Sequence, residues 1–400
     1  MGMPRMGQVL IFVSLVTIHA QASGIYPGQN VNVVGAPHPG SDAFPDSGLR
    51  QQNEPSCAIN PENPLRICCG FNDYRGIDIP ELGDAWEGIA CSTDGGNSFN
   101  SELIPGSRAD LDNSLDLEFA ADPNLISVPG GLVFNYIAAN RDQIGGLYVQ
   151  LYAWKNKEDG WPIEPVGGPR LVQKGTGGKF IDKPHGMSYL YEDGETVTWT
   201  WTNEDGQQTR ELPAGKLIIS AAVFTGNENN DSTKIELYTS EDYGFSGQWV
   251  ATKLSESKGI NSGINVAANN DNLCAVWRRF DDNNETNTIF QSCLAGGAKN
   301  WSKPKAIADI CPFDLTTLTG QDPTPGIVSL RSNAFPVVAG DGANFIAFWT
   351  DRGYAAASDG PEGCSLIKPL LDEFGDPVLD EVTGEPKDDF NESFGRIVYS

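Results

Sequence analysis

Apolar residues in this chain come in short stretches separated every few residues by glycine, proline or small polar clusters, and they are rich in Val, Ile, Phe, Tyr and Trp. Stretches such as GLVFNYIAANRD (131 to 142), KLIISAAVF (216 to 224) and NLCAVWRRFD (272 to 281) have the length and composition of buried strands bounded by turns. Helical spacing is almost absent. The pattern predicts an all-β chain of many short strands.

The stretches recur on a fixed plan: a short strand, a turn, an aromatic strand ending in Arg or Asp, then a third strand. The first unit reads EPSCAIN (54 to 60), RICCGFNDYR (66 to 75) and GIACSTDGGNSF (88 to 99). The second reads DPNLISV (122 to 128), GLVFNYIAANRD and GLYVQLYAW (146 to 154). The third opens with DKPHGMSYL (182 to 190), carries a long polar insertion, and resumes with KLIISAAVF and KIELYTSEDYG (234 to 244). The fourth is GINVAAN (263 to 269), NLCAVWRRFD and TIFQSCLAGG (288 to 297); the fifth has FPVVAGD (335 to 341), NFIAFWTDRG (344 to 353) and GRIVYS (395 to 400). Repeated four-stranded units that cannot bury their own faces imply the blades of a β-propeller. The fifth unit stops at Ser400 in its third strand, so the propeller is expected to be truncated at this end.

Composition narrows the partners. The 27 Lys and Arg against 53 Asp and Glu give a formal charge of -26, which repels nucleic acid and anionic membrane surfaces. Residues 1–22 hold Arg5, the apolar run Val9 to Ala20 and the small residues of an A-x-A site, the form of a secretory signal peptide. That run is too short to span a bilayer, and no later one is longer. Residues 23–49 form an N-terminal extension and 50–400 the propeller. The chain is expected to be secreted, extracellular or periplasmic. Export fits the 8 cysteines as disulfides. The strand plan pairs Cys274 with Cys293 and Cys68 or Cys69 with Cys91, leaves Cys57 for the other first-unit thiol, and joins Cys311 to Cys364.

Ser92-Thr93-Asp94-Gly95-Gly96-Asn97-Ser98-Phe99 fits S-x-D-x-G-x-x-aromatic, the Asp-box. Ser240, Asp242 and Gly244, with Trp249 two residues late, form a looser copy; Cys293 to Trp301 is a third that has lost its Asp. Ser and Asp side chains bond turn amides, Gly takes a positive φ, and the aromatic packs beneath, so the role is structural. On these motifs the chain resembles the sialidase-like (neuraminidase-like) Asp-box, or BNR-repeat, β-propeller families over nearly all of residues 50 to 400. The resemblance implies a propeller, six-bladed when complete, and does not by itself imply catalysis.

Second-strand ends and first-strand starts share the face opposite the Asp-boxes. That face is expected to carry Arg50, Asp73, Arg75, Arg141, Asp142, His185, Arg278, Arg279, Asp351 and Arg352, with Glu54, Asp122, Asp182 and Lys183 at first-strand starts. A ring of guanidinium forks suits an anionic sugar; equally, each Arg pairs with its neighbouring Asp to tie blade to blade. Active sialidases, by the resemblance, need three such arginines, a Tyr nucleophile assisted by Glu, and an Asp acid/base. Their Arg-Ile-Pro triplet is missing here, with Leu49-Arg50-Gln51 the nearest, and Tyr74, Tyr136 and Tyr354 have no assignable Glu partner, so no catalytic residue carries over. Three functions stand: a binding propeller for glycans or extracellular proteins, an exo-sialidase-type glycoside hydrolase using Arg75, Arg141, Arg278 and Arg352, and an extracellular scaffold module. No cofactor is expected. Calcium is the one metal considered, at Asp110, Asp112 and Asp116, against the reading of an exposed acidic linker.

Overall fold

The structure is a computed structural model, and it describes residues 31–34, 52–75, 84–108, 110, 114–141, 144–155, 160–191, 194–203, 205–226, 232–256, 259–280, 287–310, 335–340 and 344–351, with the backbone of 396–399. From residue 32 onward they belong to one compact unit, Asn32–Ser400. Every regular element among them is a strand.

The strands form consecutive antiparallel sheets. In the first, β1 (Gln52–Ile59), β2 (Ile67–Asp73), β3 (Trp86–Ser92) and β4 (Asn100–Leu103) pair in chain order. The second orders β5 (Phe119–Val128), β6 (Gly131–Ala139) and β7 (Gly145–Trp154), whose outer edge is shared by two short strands, β8 (Ile163–Pro165) and β9 (Arg170–Lys174). The third runs β10 (Lys179–Leu190), β13 (Gly215–Thr225), β14 (Ser232–Ser240), β15 (Val250–Lys253). The fourth is β16 (Ile260–Asn269), β17 (Asn272–Phe280), β18 (Asn287–Leu294), β19 (Lys305–Ile310), and the fifth β20 (Val337–Gly340), β21 (Phe345–Asp351), β22 (Arg396–Tyr399).

First strands touch first strands: β1 lies on β5, β5 on β10, β10 on β16 and β16 on β20. Sheets arranged radially with their first strands innermost make a β-propeller, and the sheets correspond to the five repeats of the sequence. The pleat explains the packing. On β6, Leu132, Phe134, Tyr136 and Ala138 enter the core shared with the first blade, while Val133 and Ile137 enter the core shared with the third. Similar clusters join blades three and four around Ile218, Ile264 and Trp277, and blades four and five around Val276, Val338 and Trp349. Each fully buried aliphatic or aromatic side chain contributes about 1.5–3 kcal/mol, so the blade interfaces hold most of the fold's stability.

The long polar insertion of the third unit is itself a hairpin, β11 (Thr196–Asn203) with β12 (Gly206–Pro213). The sequence TVTWTWTN turns its threonines outward and buries Trp199 and Trp201 with Leu212 against the second blade. Polarity counted over the insertion hid a period of two.

The first-blade cysteines resolve as Cys57–Cys69 and Cys68–Cys91, on opposite faces as adjacent strand residues must be, and Cys274 joins Cys293. Cys311 and Cys364 lie outside the described residues, as does the segment expected to be a signal peptide. No helix among the described residues is long and apolar enough to cross a membrane.

The Asp-box octets build the same turn twice. Ser92 Oγ donates to Asp94 Oδ1 and accepts from Gly96 N, while Asp94 Oδ1 accepts from Ser98 N. Ser240 Oγ donates to Asp242 Oδ1 and accepts from Gly244 N, while Asp242 Oδ2 accepts from Ser246 N. Gly96 and Gly244 have φ of 92° and 84°, and Trp249 packs against Gly244. The Ser98 hydroxyl, then Ser92, pull the Asp94 carboxyl down to about 2.

Candidate functional site at the axial mouth

Each of the first four inner strands breaks register near its start: between Asn53 and Ser56, Ala121 and Asn124, Asp182 and His185, and Ser262 and Asn265. In each break one residue adopts positive φ: Glu54 (54°), Asp122 (59°), Lys183 (48°) and Gly263 (64°). Proline follows the first three of them. Such bulges stop the ladder and turn a side chain out of the sheet. Here they turn inward-strand residues toward the axis.

Gly263 shows how tightly the bulges meet. A Cβ there would lie 2.1 Å from the Phe335 ring of the fifth blade. Gly263→Ala is expected to destabilise the protein by about 1–3 kcal/mol, from the left-handed backbone and the clash together, read as a drop in the urea midpoint. An unchanged midpoint would show that the fifth blade does not pack there.

The four bulges and the segment Phe335 to Val337 of the fifth blade line a cavity of about 390 Å³. Its wall carries one charged bridge. Lys183 Nζ lies 2.8 Å from Glu54 Oε1 and 2.6 Å from Asp122 Oδ1, so an ammonium of blade three joins carboxylates of blades one and two. Burial alone would lower the Lys183 ammonium, but the charge and hydrogen bond of Asp122, then Glu54, outweigh it and hold it above 10.5. The backbone follows the same path: Lys183 N donates to Asp122 Oδ2 at 3.0 Å, and Asp122 N to Asn72 Oδ1 at 3.0 Å. Two residues further along each strand, Ser56 Oγ accepts from Leu125 N and Asn124 Oδ1 from Gly186 N. Polar residues of the bulges thus tie blade to blade at this end of the strands.

His185 stands beside this bridge. Asn265 Oδ1 accepts from Val338 N at 2.9 Å, which fixes the amide with Nδ2 toward the imidazole. Asn265 Nδ2 therefore donates to His185 Nε2, 2.9 Å away, and the ring proton sits on Nδ1. Nδ1 is sealed from solvent with no partner among the described residues, and burial pushes the imidazole down to about 4, keeping it neutral.

The arginines go elsewhere. Arg75 is buried in an ion pair with Asp73 at 2.6 Å and donates to Ser101 Oγ, all within the first blade. Arg278 is fully buried, donates to Asn287 Oδ1 at 2.8 Å and stacks over Phe280 at 4.0 Å. Arg279 lies over Phe290. Arg141 is exposed and pairs with Asp84, which links the second blade to the first. The Asp73–Arg75 spacing of two lets the guanidinium fold back onto the carboxylate of its own strand. Arg50, Asp142, Arg352 and Tyr354 lie outside the described residues, and only the backbone of Asp351 is described.

Tyr136, considered for the channel, is buried between blades one and two with its hydroxyl unpartnered among the described residues. Near it lies Glu87 of β3, which the sequence reading passed over. Both its carboxyl oxygens are buried without a hydrogen-bond partner among the described residues. Burial, then the charges of Asp122, Glu54 and Asp73, push it well above the ordinary range. Its signal in the sequence was a lone Glu in the otherwise apolar WEGIACS.

Of the calcium candidates, Asp110 Oδ2 caps Gly106 N and Asp116 lies 3.7 Å from Arg108, while Asp112 is outside the described residues. Among the described residues no group of three or more His, Cys, Asp or Glu could hold a metal ion.

No family model matches the chain, and no curated protein matches it. Among solved structures it is similar to the alpha-L-arabinanase of Penicillium chrysogenum complexed with arabinobiose: 13% identity, 81% of this chain, 80% of that one, TM-score 0.43. It is similar also to the alpha-L-arabinofuranosidase Arb93A of Fusarium graminearum, at 15% identity, 80% and 78% coverage and TM-score 0.41. A Trypanosoma rangeli sialidase mutant displaying trans-sialidase activity gives 10% identity and TM-score 0.40, with 75% of this chain spanning 43% of that one. At these values the likeness carries nothing about what the mouth binds.

Proposed function

We propose that this chain is an exported propeller that binds an uncharged saccharide at its axial mouth. The observation that supports it is the Glu54–Lys183–Asp122 bridge on the wall of a cavity about 390 Å³ in volume, a size typical of small-molecule sites. The two carboxylates accept hydrogen bonds from ligand hydroxyls. Pro55, Pro123, Pro184 and Pro336, with Phe335, give the apolar wall that the C–H faces of a sugar pack on. Export is supported by the three disulfides and the leader-like N-terminus.

The charge balance argues against an anionic sugar at this mouth. Lys183 is already shared by two carboxylates, His185 is neutral, and among the described lining residues there is no guanidinium. The exo-sialidase alternative asks for three.

A panel of neutral and sialylated oligosaccharides tested by calorimetry on the secreted full-length protein separates the readings. Neutral ligands are expected to bind and to lose about 10–100-fold in affinity in Asp122→Asn, the loss of a charge-assisted hydrogen bond and of the clamp on Lys183, while Arg141→Ala binds normally. Loss in Arg141→Ala with none in Asp122→Asn would return the site to the arginine face; no neutral ligand at all would overturn the reading.

A further inference from the structure

The described lining of the axial mouth divides into two halves of different chemistry. Blades one to three supply its charges, Glu54, Asp122 and Lys183. Blades four and five supply Gly263, Ile264, Asn265, Phe335, Pro336 and Val337, and five of these six have no polar side-chain atom. The sixth, Asn265, is buried with its amide engaged at both ends, Oδ1 by Val338 N and Nδ2 by His185 Nε2. His185 adds nothing polar to this half, since Nε2 faces Asn265 and Nδ1 is sealed. Ile264 and Pro336 are buried, whereas Val337 is 53% exposed and Phe335 half-buried, so these two are the side chains that a ligand meets here.

A hexopyranose carries its C2 and C3 hydroxyls across the ring from the substituent on C5. Hydroxyls turned to the Glu54–Lys183–Asp122 bridge find charged hydrogen-bonding groups. The C5 substituent then lies against Phe335 and Val337. A hydroxymethyl group there leaves water for side chains that cannot hydrogen-bond its oxygen, which is unfavourable. A methyl group has no such oxygen, and its burial against an apolar wall is favourable.

We propose that the axial mouth selects a 6-deoxyhexose, with its ring hydroxyls on the bridge of blades one to three and its C6 methyl on the apolar half formed by Phe335 and Val337. This rests on the reading of the mouth as a site for an uncharged saccharide and specifies which kind it takes.

The test is calorimetry of the full-length protein with the methyl glycosides of L-fucose and L-galactose, and of L-rhamnose and L-mannose. The members of each pair differ only by the oxygen on C6. In at least one pair the deoxy sugar is expected to bind about tenfold more tightly than its partner, the scale of discrimination by one small group in an apolar pocket. Val337→Thr keeps the size and β-branching of the side chain and brings a hydroxyl to the apolar half. It should reduce the preference to twofold or less, with an unchanged urea midpoint. Asp122→Asn, on the other half, should weaken both members of the pair and leave the preference near tenfold. Deoxy sugars bound no more tightly than their partners, a preference that survives in Val337→Thr, or neutral oligosaccharides bound with none of these four would overturn the selection of a deoxy sugar and leave the neutral-saccharide reading standing. Failure of every neutral sugar would overturn both.

Discussion

Lys183→Met is expected to destabilise the protein by about 2–3 kcal/mol, the lower part of the range for removing one partner from a buried ion pair, discounted because Lys183 is 26% exposed. The substitution keeps the length of the side chain and removes the charge that bridges Glu54 and Asp122. Two carboxylates from neighbouring blades then face each other, with Glu87 behind them. The ammonium is held above 10.5, so its contribution is fully present at neutral pH and is lost as alkali removes the proton from the folded form. The triple variant Glu54→Gln, Lys183→Met, Asp122→Asn should recover most of the loss, since it removes the repulsion together with the bridge. Urea midpoints at pH 7 read both. If Lys183→Met unfolds at the wild-type midpoint, the bridge is a surface contact and the mouth has no charged clamp.

The architecture was legible because it repeats. Five short-strand units with second strands such as NLCAVWRRFD could bury their faces only against one another, and the radial order of sheets follows from that. The site was legible only in part. Glu54, Asp122, Lys183 and His185 were readable as first-strand residues, but the bulge around them comes with hydrogen bonds from the neighbouring blade, such as Lys183 N to Asp122 Oδ2, which no local pattern encodes. The arginines show the opposite case: their positions along the strands were readable and their directions were not. Arg75 had a nearer anion in Asp73, and Arg278 had Asn287 and the Phe280 ring.

Glu87→Gln is expected to stabilise the protein by about 1–3 kcal/mol at pH 7, the scale of relieving an unsatisfied buried polar group. The sign follows from the proton balance. The folded form holds the Glu87 carboxyl well above 4.5, so through the window above that value the native chain keeps a proton that the unfolded chain has released. Raising the pH through the window therefore favours unfolding, by at most about 1.4 kcal/mol per unit. Gln carries no proton to lose and no charge to set against those of Asp122, Glu54 and Asp73. His185 works in the other direction: the unfolded imidazole takes a proton below 6.5 that the folded one refuses until about 4, so acid weakens the wild type across that interval. Stability against pH should thus show a wild-type maximum that shifts upward in Glu87→Gln, with the two curves meeting near pH 4 and separating above it. Urea midpoints from pH 4 to 8 give both curves, and parallel curves would mean that Glu87 is ionised and paired in the folded chain.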